Sequence, residues 1–259
     1  MTVEITVLSA GEGNVLTGEA PDRKLEAVSR AELWSYRVAN PRAAALVFAG
    51  GGYVALMLDR EGVEVAQWLN GNGYDAHVLV HRLPGQADGA GGVWPSDIAL
   101  TDALAAVEAI GEGLPLVLVG LSSGGHLAGV AACQTKAAGV IIAYAPINAN
   151  HKDYKAPAGK PDYPPLEKQQ FYNEWPIGIK AEPHGLPACP VFLAYALHDQ
   201  AVPVEHALNF VMTARDLGLD LDAHIFGRAP HGFALRETDG SQAMWPELAL
   251  DWLKRKLDV

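Results

Sequence analysis

An apolar run, Leu116-Val117-Leu118-Val119, leads directly into Gly120-Leu121-Ser122-Ser123-Gly124-Gly125-His126, and an alanine-rich stretch with helical spacing follows. A strand that reverses at once into a helix around a Gly-x-Ser-x-Gly core needs small flanking residues, because side chains there would collide as the helix folds back on the strand. Gly120 and Gly124 meet that need around Ser122. Taking Ser123 as the turn residue would instead put Leu121 where the first glycine is required. Ser122 is therefore the candidate nucleophile, weighed against a plain glycine-rich helix start.

Further apolar runs occur at Ala45–Phe48, Ala76–Val80, Val140–Tyr144 and Val191–Tyr195, with a strand also expected at Ala223–Phe226. Segments with apolar residues three and four apart lie between or after them: Glu61–Leu69, Ser96–Ile110, Gly124–Thr135, Val204–Leu217 and Met244–Leu257. Strands alternating with helices predict an α/β fold, a mostly parallel, doubly wound sheet with helices on both faces. Residues 1–259 read as a single domain. The stretch from about 148 to 190 breaks the rhythm and reads as an irregular, cap-like insertion. Its aromatics Tyr154, Tyr163, Phe171, Tyr172 and Trp175 fit either a cap over a pocket or anchors to the body.

A serine hydroxyl reacts only when a base removes its proton, and a third group must orient that base. In doubly wound sheets reactive groups collect beyond the carboxyl ends of the strands. Asp199 follows the run ending near Leu197 and precedes a helix opened at Val202-Pro203, so it is the expected orienting acid. Asp153 and Asp162 fall in the insertion, and Glu205 and Asp216 inside a helical pattern. His231 stands in Pro230-His231-Gly232, after the last strand and before the final helix, and is the expected base. His126 lies about one turn beyond Ser122 on the same helix, which suits hydrogen-bonded packing. His198, His206 and His224 read as loop, helix-face and strand-face residues, and no pair has zinc-protease spacing. Gly50-Gly51-Gly52-Tyr53 follows the first apolar run. With the amide of Ser123, those of Gly51 and Gly52 are the candidate oxyanion donors.

Composition narrows the partners. Of the 259 residues 49% are hydrophobic and 19% charged, and the formal net charge is -11. That balance suits a well-cored chain and opposes association with a phosphate backbone or an anionic membrane. No stretch has the length of a membrane span and the first residues lack a signal-peptide pattern, so a cytoplasmic location is expected. The two cysteines, Cys133 and Cys189, read as packing residues rather than a disulfide framework. The chemistry needs neither cofactor nor metal. Self-association is left open.

With Ser122, Asp199 and His231 in that order, the chain resembles the α/β-hydrolase superfamily over nearly its whole length. Ala49-Gly50-Gly51-Gly52-Tyr53, His81-Arg82-Leu83-Pro84, Gly120 to Ala128, His198 to Pro203 and Pro230-His231-Gly232-Phe233 are similar to the small carboxylesterase and acetyl-esterase branch related to hormone-sensitive lipase. Ala49 stands where many members of that branch have His, Leu121 where many have Asp, and Ser123 where Ala is common. The resemblance implies hydrolysis of small-molecule esters, acetyl esters first and acetylated carbohydrates among them, through an acyl-enzyme intermediate. An amide-directed serine hydrolase is the alternative, and a noncatalytic binding protein on the same fold is a third reading.

Overall fold

Strands buried on both faces are largely apolar, and the central runs of this chain, with buried His77 an exception, meet that condition in one eight-stranded sheet. The computed structural model describes residues 2–151, 154–156, 162–180 and 183–257. Its strands are β1 (Glu4–Val7), β2 (Glu32–Tyr36), β3 (Ala44–Phe48), β4 (Asp75–Val80), β5 (Leu116–Leu121), β6 (Gly139–Ala143), β7 (Val191–Ala196) and β8 (Leu221–Phe226). They lie in the order β1-β2-β4-β3-β5-β6-β7-β8. The contacts from β4 through β8 are parallel, and β1 and β2 add antiparallel at one edge.

Among the described residues there are six α-helices: α1 (Glu64–Gly71), α2 (Ile98–Ile110), α3 (Ser123–Gln134), α4 (Leu166–Glu174), α5 (Glu205–Leu217) and α6 (Trp245–Leu257). Because successive strand residues face opposite ways, alternate positions build two cores. Val47, Val78, Val119, Ile141 and Phe192 pack with Val65, Leu69, Trp245 and Trp252 of α1 and α6. Leu46, Phe48, Leu118, Ile142 and Leu193 pack with α2, α3 and α5 through Ala103, Leu127, Val130 and Phe210. The predicted doubly wound α/β architecture is the one observed.

Three parts differ from the sequence expectation. The segment predicted helical from Glu61 begins as a π-type turn, Leu58–Val63, and becomes α-helical only at Glu64. β1 and β2 escaped the apolar-run criterion because β1 is solvent-exposed, while β2 buries Glu32 and Ser35. Their polar atoms have partners: Glu32 pairs with Arg30, and Ser35 Oγ lies 2.8 Å from His77 Nδ1. The expected irregular insertion contains α4, whose sequence LEKQQFYNE carries little apolar signal because its buried residues are only Lys168 and Phe171.

Candidate active site

β5 ends at Leu121 and α3 starts at Ser123, which leaves Ser122 alone to make the turn. Its φ is 52° and ψ -128°, a region that non-glycine residues rarely occupy and that clusters at functional sites. Both predicted glycines are sterically required. A Cβ on Gly120 would lie 2.1 Å from the Gly124 carbonyl oxygen, and one on Gly124 2.0 Å from that of Phe48. Ser122 occupies the N-cap position of α3 yet makes no capping hydrogen bond with its side chain. Its hydroxyl points instead to His231, with Oγ 3.0 Å from Nε2.

On the far side of the ring, His231 Nδ1 lies 2.8 Å from Asp199 Oδ2. Asp199 sits past the end of β7 on the loop that precedes α5. Its other oxygen accepts the amides of Ala201 and Val202 at 2.7 and 2.9 Å. Burial works against ionisation of this carboxyl, but the hydrogen bond from His231 and those two amides outweigh it and hold its pKa below the usual value. With Nδ1–H directed at the carboxylate, Nε2 is the nitrogen that can accept a proton from Ser122. The three residues singled out from sequence, 109 and 32 positions apart along their two hydrogen bonds, thus meet in one line.

The predicted oxyanion donors are adjacent to that line. Gly51 and Gly52 share a cavity wall with Ser122 and His231. Ser123 opens α3, so its amide belongs to the first turn, where no intrahelical acceptor exists. Gly52 has a partner the sequence did not suggest: its amide donates to Ser123 Oγ at 2.9 Å.

Several contributors to the site were missed. Glu61, 5% exposed, accepts the Gly50 amide at 3.0 Å and the Tyr144 hydroxyl at 3.2 Å. Its pKa is raised, chiefly by burial, against the influence of nearby His231 and the two donors. Tyr144, immediately after β6, stands edge-on to the His231 ring at 5.2 Å and has a φ of 39°. Arg60 donates to the Gly232 carbonyl at 2.6 Å and so ties the histidine loop to the π-type turn. Wider turns of this kind recur at functional sites. Here the turn brings Met57, Arg60 and Glu61 to one cavity of about 370 Å³ containing Ser122 and His231. A signal existed for Tyr144, since it follows a strand end just as Asp199 does. For Glu61, a helical pattern concealed a buried acid.

His126 and His206 have packing roles. His126 Nδ1 lies 2.9 Å from the Tyr53 hydroxyl and Nε2 2.8 Å from the Trp175 carbonyl oxygen, and burial lowers its pKa to about 4. His206, on α5, takes the amides of Asn148 and Ala149 on its Nδ1, each at 2.7 Å. His198 lies in the loop after β7 and His224 in β8, as expected. The insertion's aromatics divide between the two expected roles. Phe171 is fully buried against Tyr53 and His126, Tyr163 lines a second cavity at Ser122, and Tyr172 both packs on those two rings and lines that cavity. Among the rival acids, Asp162 is exposed and Asp153 lies outside the described residues. Cys133 and Cys189 are free thiols packed against the α2, α3 and α5 core, and burial raises their pKa to about 12 and about 11. Among the described residues no helix is long and apolar enough to cross a membrane.

Solved structures share this arrangement of strands and helices. An acetyl ester-xyloside bifunctional hydrolase from Caldicellulosiruptor lactoaceticus is 23% identical, with a TM-score of 0.66 over 87% of this chain and 88% of that one. A carboxylesterase from Lactobacillus plantarum is 19% identical, with a TM-score of 0.68 over 99% and 98%. A thermophilic esterase from the Planctomycetes species Thermogutta terrifontis is 20% identical, with a TM-score of 0.68 over 98% and 92%. At these identities the likeness establishes the α/β-hydrolase fold. No curated protein matches the sequence significantly. Residues 94–259, more than half of the chain and including Ser122, Asp199 and His231, match the prolyl oligopeptidase family. This protein, built on the α/β-hydrolase fold, belongs to the prolyl oligopeptidase family.

Proposed function

We propose that the protein is a serine hydrolase of short-chain carboxylic esters, acetyl esters first and acetylated carbohydrates among them. The observation that carries this reading is the hydrogen-bonded line from Ser122 through His231 to Asp199, anchored on a positive-φ turn. The esterases and the acetyl ester-xyloside hydrolase with the same fold add support.

In this reading His231 Nε2 takes the Ser122 proton as Oγ attacks the ester carbonyl. The tetrahedral oxyanion is held by the amides of Gly51, Gly52 and Ser123, each such donor being worth roughly 3 kcal/mol in comparable sites. Gly52 contributes once the Ser123 hydroxyl releases its amide. The imidazolium returns the proton to the departing alcohol, and the acyl group stays on Ser122. His231 then deprotonates water, which attacks the acyl-enzyme and frees the acid. Asp199 fixes the ring tautomer and stabilises its charged form.

Ser122→Ala should lower turnover of p-nitrophenyl acetate by roughly a thousandfold or more with an unchanged melting temperature. Undiminished turnover would overturn the assignment. The family match favours a second reading, cleavage of an amide by the same residues. Faster hydrolysis of a blocked peptide p-nitroanilide than of the acetate ester would select it.

A further inference from the structure

Ser122 is reached from two sides. Beyond the cavity that holds Glu61 and His231 lies another of about 220 Å³, bounded by Gly52, Ser122, Tyr172 and Val202 and, from α4 and the preceding loop, by Lys168 and Asn150. Its volume matches roughly seven water molecules in the liquid, enough for a short substituent of a few heavy atoms.

The chemistry of this wall is unusual. Lys168 is 9% exposed, yet its ammonium has neither a carboxylate partner nor a hydrogen bond among the described residues. Asp162, the acidic residue of the lining, is exposed and forms no ion pair with it. Burial lowers the Lys168 pKa, with no neighbouring charge in opposition. The ammonium keeps some contact with solvent through the cavity, and a charge that loses such contact is costly unless it is paired. A neutral group entering the cavity would strip that solvent from the ammonium without replacing it, whereas an anionic group supplies a counter-charge. Phe171, one turn further along α4, is locked against Tyr53 and His126. Lys168 is thus held in place by a packed helix rather than a loose loop.

We propose that this pocket selects esters bearing a carboxylate, which Lys168 binds while the ester carbonyl lies at Ser122. The proposal rests on the serine-hydrolase reading and names the substrate class that its site prefers. The carboxylate belongs either to the acyl half, as in a dicarboxylic half-ester, or to the alcohol half, as in an acetylated hydroxy acid.

The test compares charged and neutral esters of matched size on the full chain. The acyl arm pairs p-nitrophenyl hemisuccinate with p-nitrophenyl 4-methylpentanoate, and the alcohol arm pairs 4-acetoxybenzoate with 4-isopropylphenyl acetate. In one arm the carboxylate ester should have a KM at least tenfold below that of its neutral counterpart, which identifies the half that carries the charge. Lys168→Met, which keeps the apolar stem, should bring the charged-to-neutral ratio of KM to about one, and Lys168→Arg should restore most of the preference. Neutral esters turned over with no carboxylate preference in either arm would overturn the pocket assignment alone, as would an equal loss on charged and neutral esters in Lys168→Met. Absence of turnover with all four would overturn the Ser122 reading, and this proposal with it.

Discussion

The amide of Gly52 donates to Ser123 Oγ at 2.9 Å, so one of the proposed oxyanion donors is engaged by the residue directly after the candidate nucleophile. Ser123 is 2% exposed and cannot exchange this partner for bulk solvent. A neutral hydrogen bond of this kind is worth about 1 kcal/mol, and it competes with the developing oxyanion. Ser123→Ala should therefore release the amide and raise kcat/KM for a short acetyl ester by roughly two- to fivefold. A tenfold fall would mean that the hydroxyl instead holds the glycine loop in its working position.

Asp199 makes a different contribution. Asp199→Asn keeps the shape but no longer demands Nδ1–H on His231, so kcat should fall by about a thousandfold or more. Steady-state kinetics with p-nitrophenyl acetate measure this directly, and a loss under tenfold would contradict the orienting role.

Acid stability follows from Asp199 and Asp59. The buried Asp59 accepts the Arg23 guanidinium at 2.8 and 2.9 Å; burial opposes its ionisation, and those bonds prevail to lower its pKa. Carboxyls depressed in the folded state contribute stability that is complete above their ordinary value of 3.8 and lost as pH falls through the lower folded value. Melting temperature should accordingly drop steeply below about pH 4. Asp59→Asn should flatten that drop and lower the plateau at neutral pH, because it leaves Arg23 without its counter-charge.

Glu61 has the opposite sign. Its pKa is raised above 4.5, so its favourable contribution is complete below that pH and is lost as pH rises through the folded value. In Glu61→Gln the melting-temperature difference between pH 5 and pH 7.5 should shrink relative to the parent. The same substitution removes a negative charge near the His231 imidazolium, at a cost of about 1 kcal/mol or a severalfold fall in kcat. Tyr144→Phe, which keeps the ring against His231 and Phe233, should cost less than Glu61→Gln in kcat.

Glycine substitutions separate the turn from ordinary loops. Gly124→Ala forces a Cβ to 2.0 Å from the Phe48 carbonyl oxygen in the middle of the sheet. It should lower stability by more than about 4 kcal/mol or prevent folding. Gly113→Ala, where a Cβ meets nothing within 4 Å, should leave the melting temperature within a few degrees. Equal tolerance of the two would contradict the close approach of α3 to β3.

These results also delimit what the sequence reveals. The central strands and Ser122, Asp199 and His231 are legible because each obeys a local rule: uninterrupted apolar residues for a strand covered on both faces, and reactive groups on loops past strand ends. Glu61 and Lys168 are not legible because their place beside Ser122 depends on burial, and burial is decided by tertiary packing. Lys168 sits in a helix whose other residues are mostly polar, so no periodicity betrays its inward face. β2 hid for the converse reason. Its buried Glu32 and Ser35 look like surface residues until Arg30 and His77 come to meet them.

The most direct measurement of the central claim is reaction of the folded protein with a fluorophosphonate, followed by peptide mapping of the adduct. A single adduct on Ser122, formed quickly by the parent and lost in both Ser122→Ala and His231→Ala, is the predicted result. An adduct on Ser123, or equally fast labelling without His231, would contradict it.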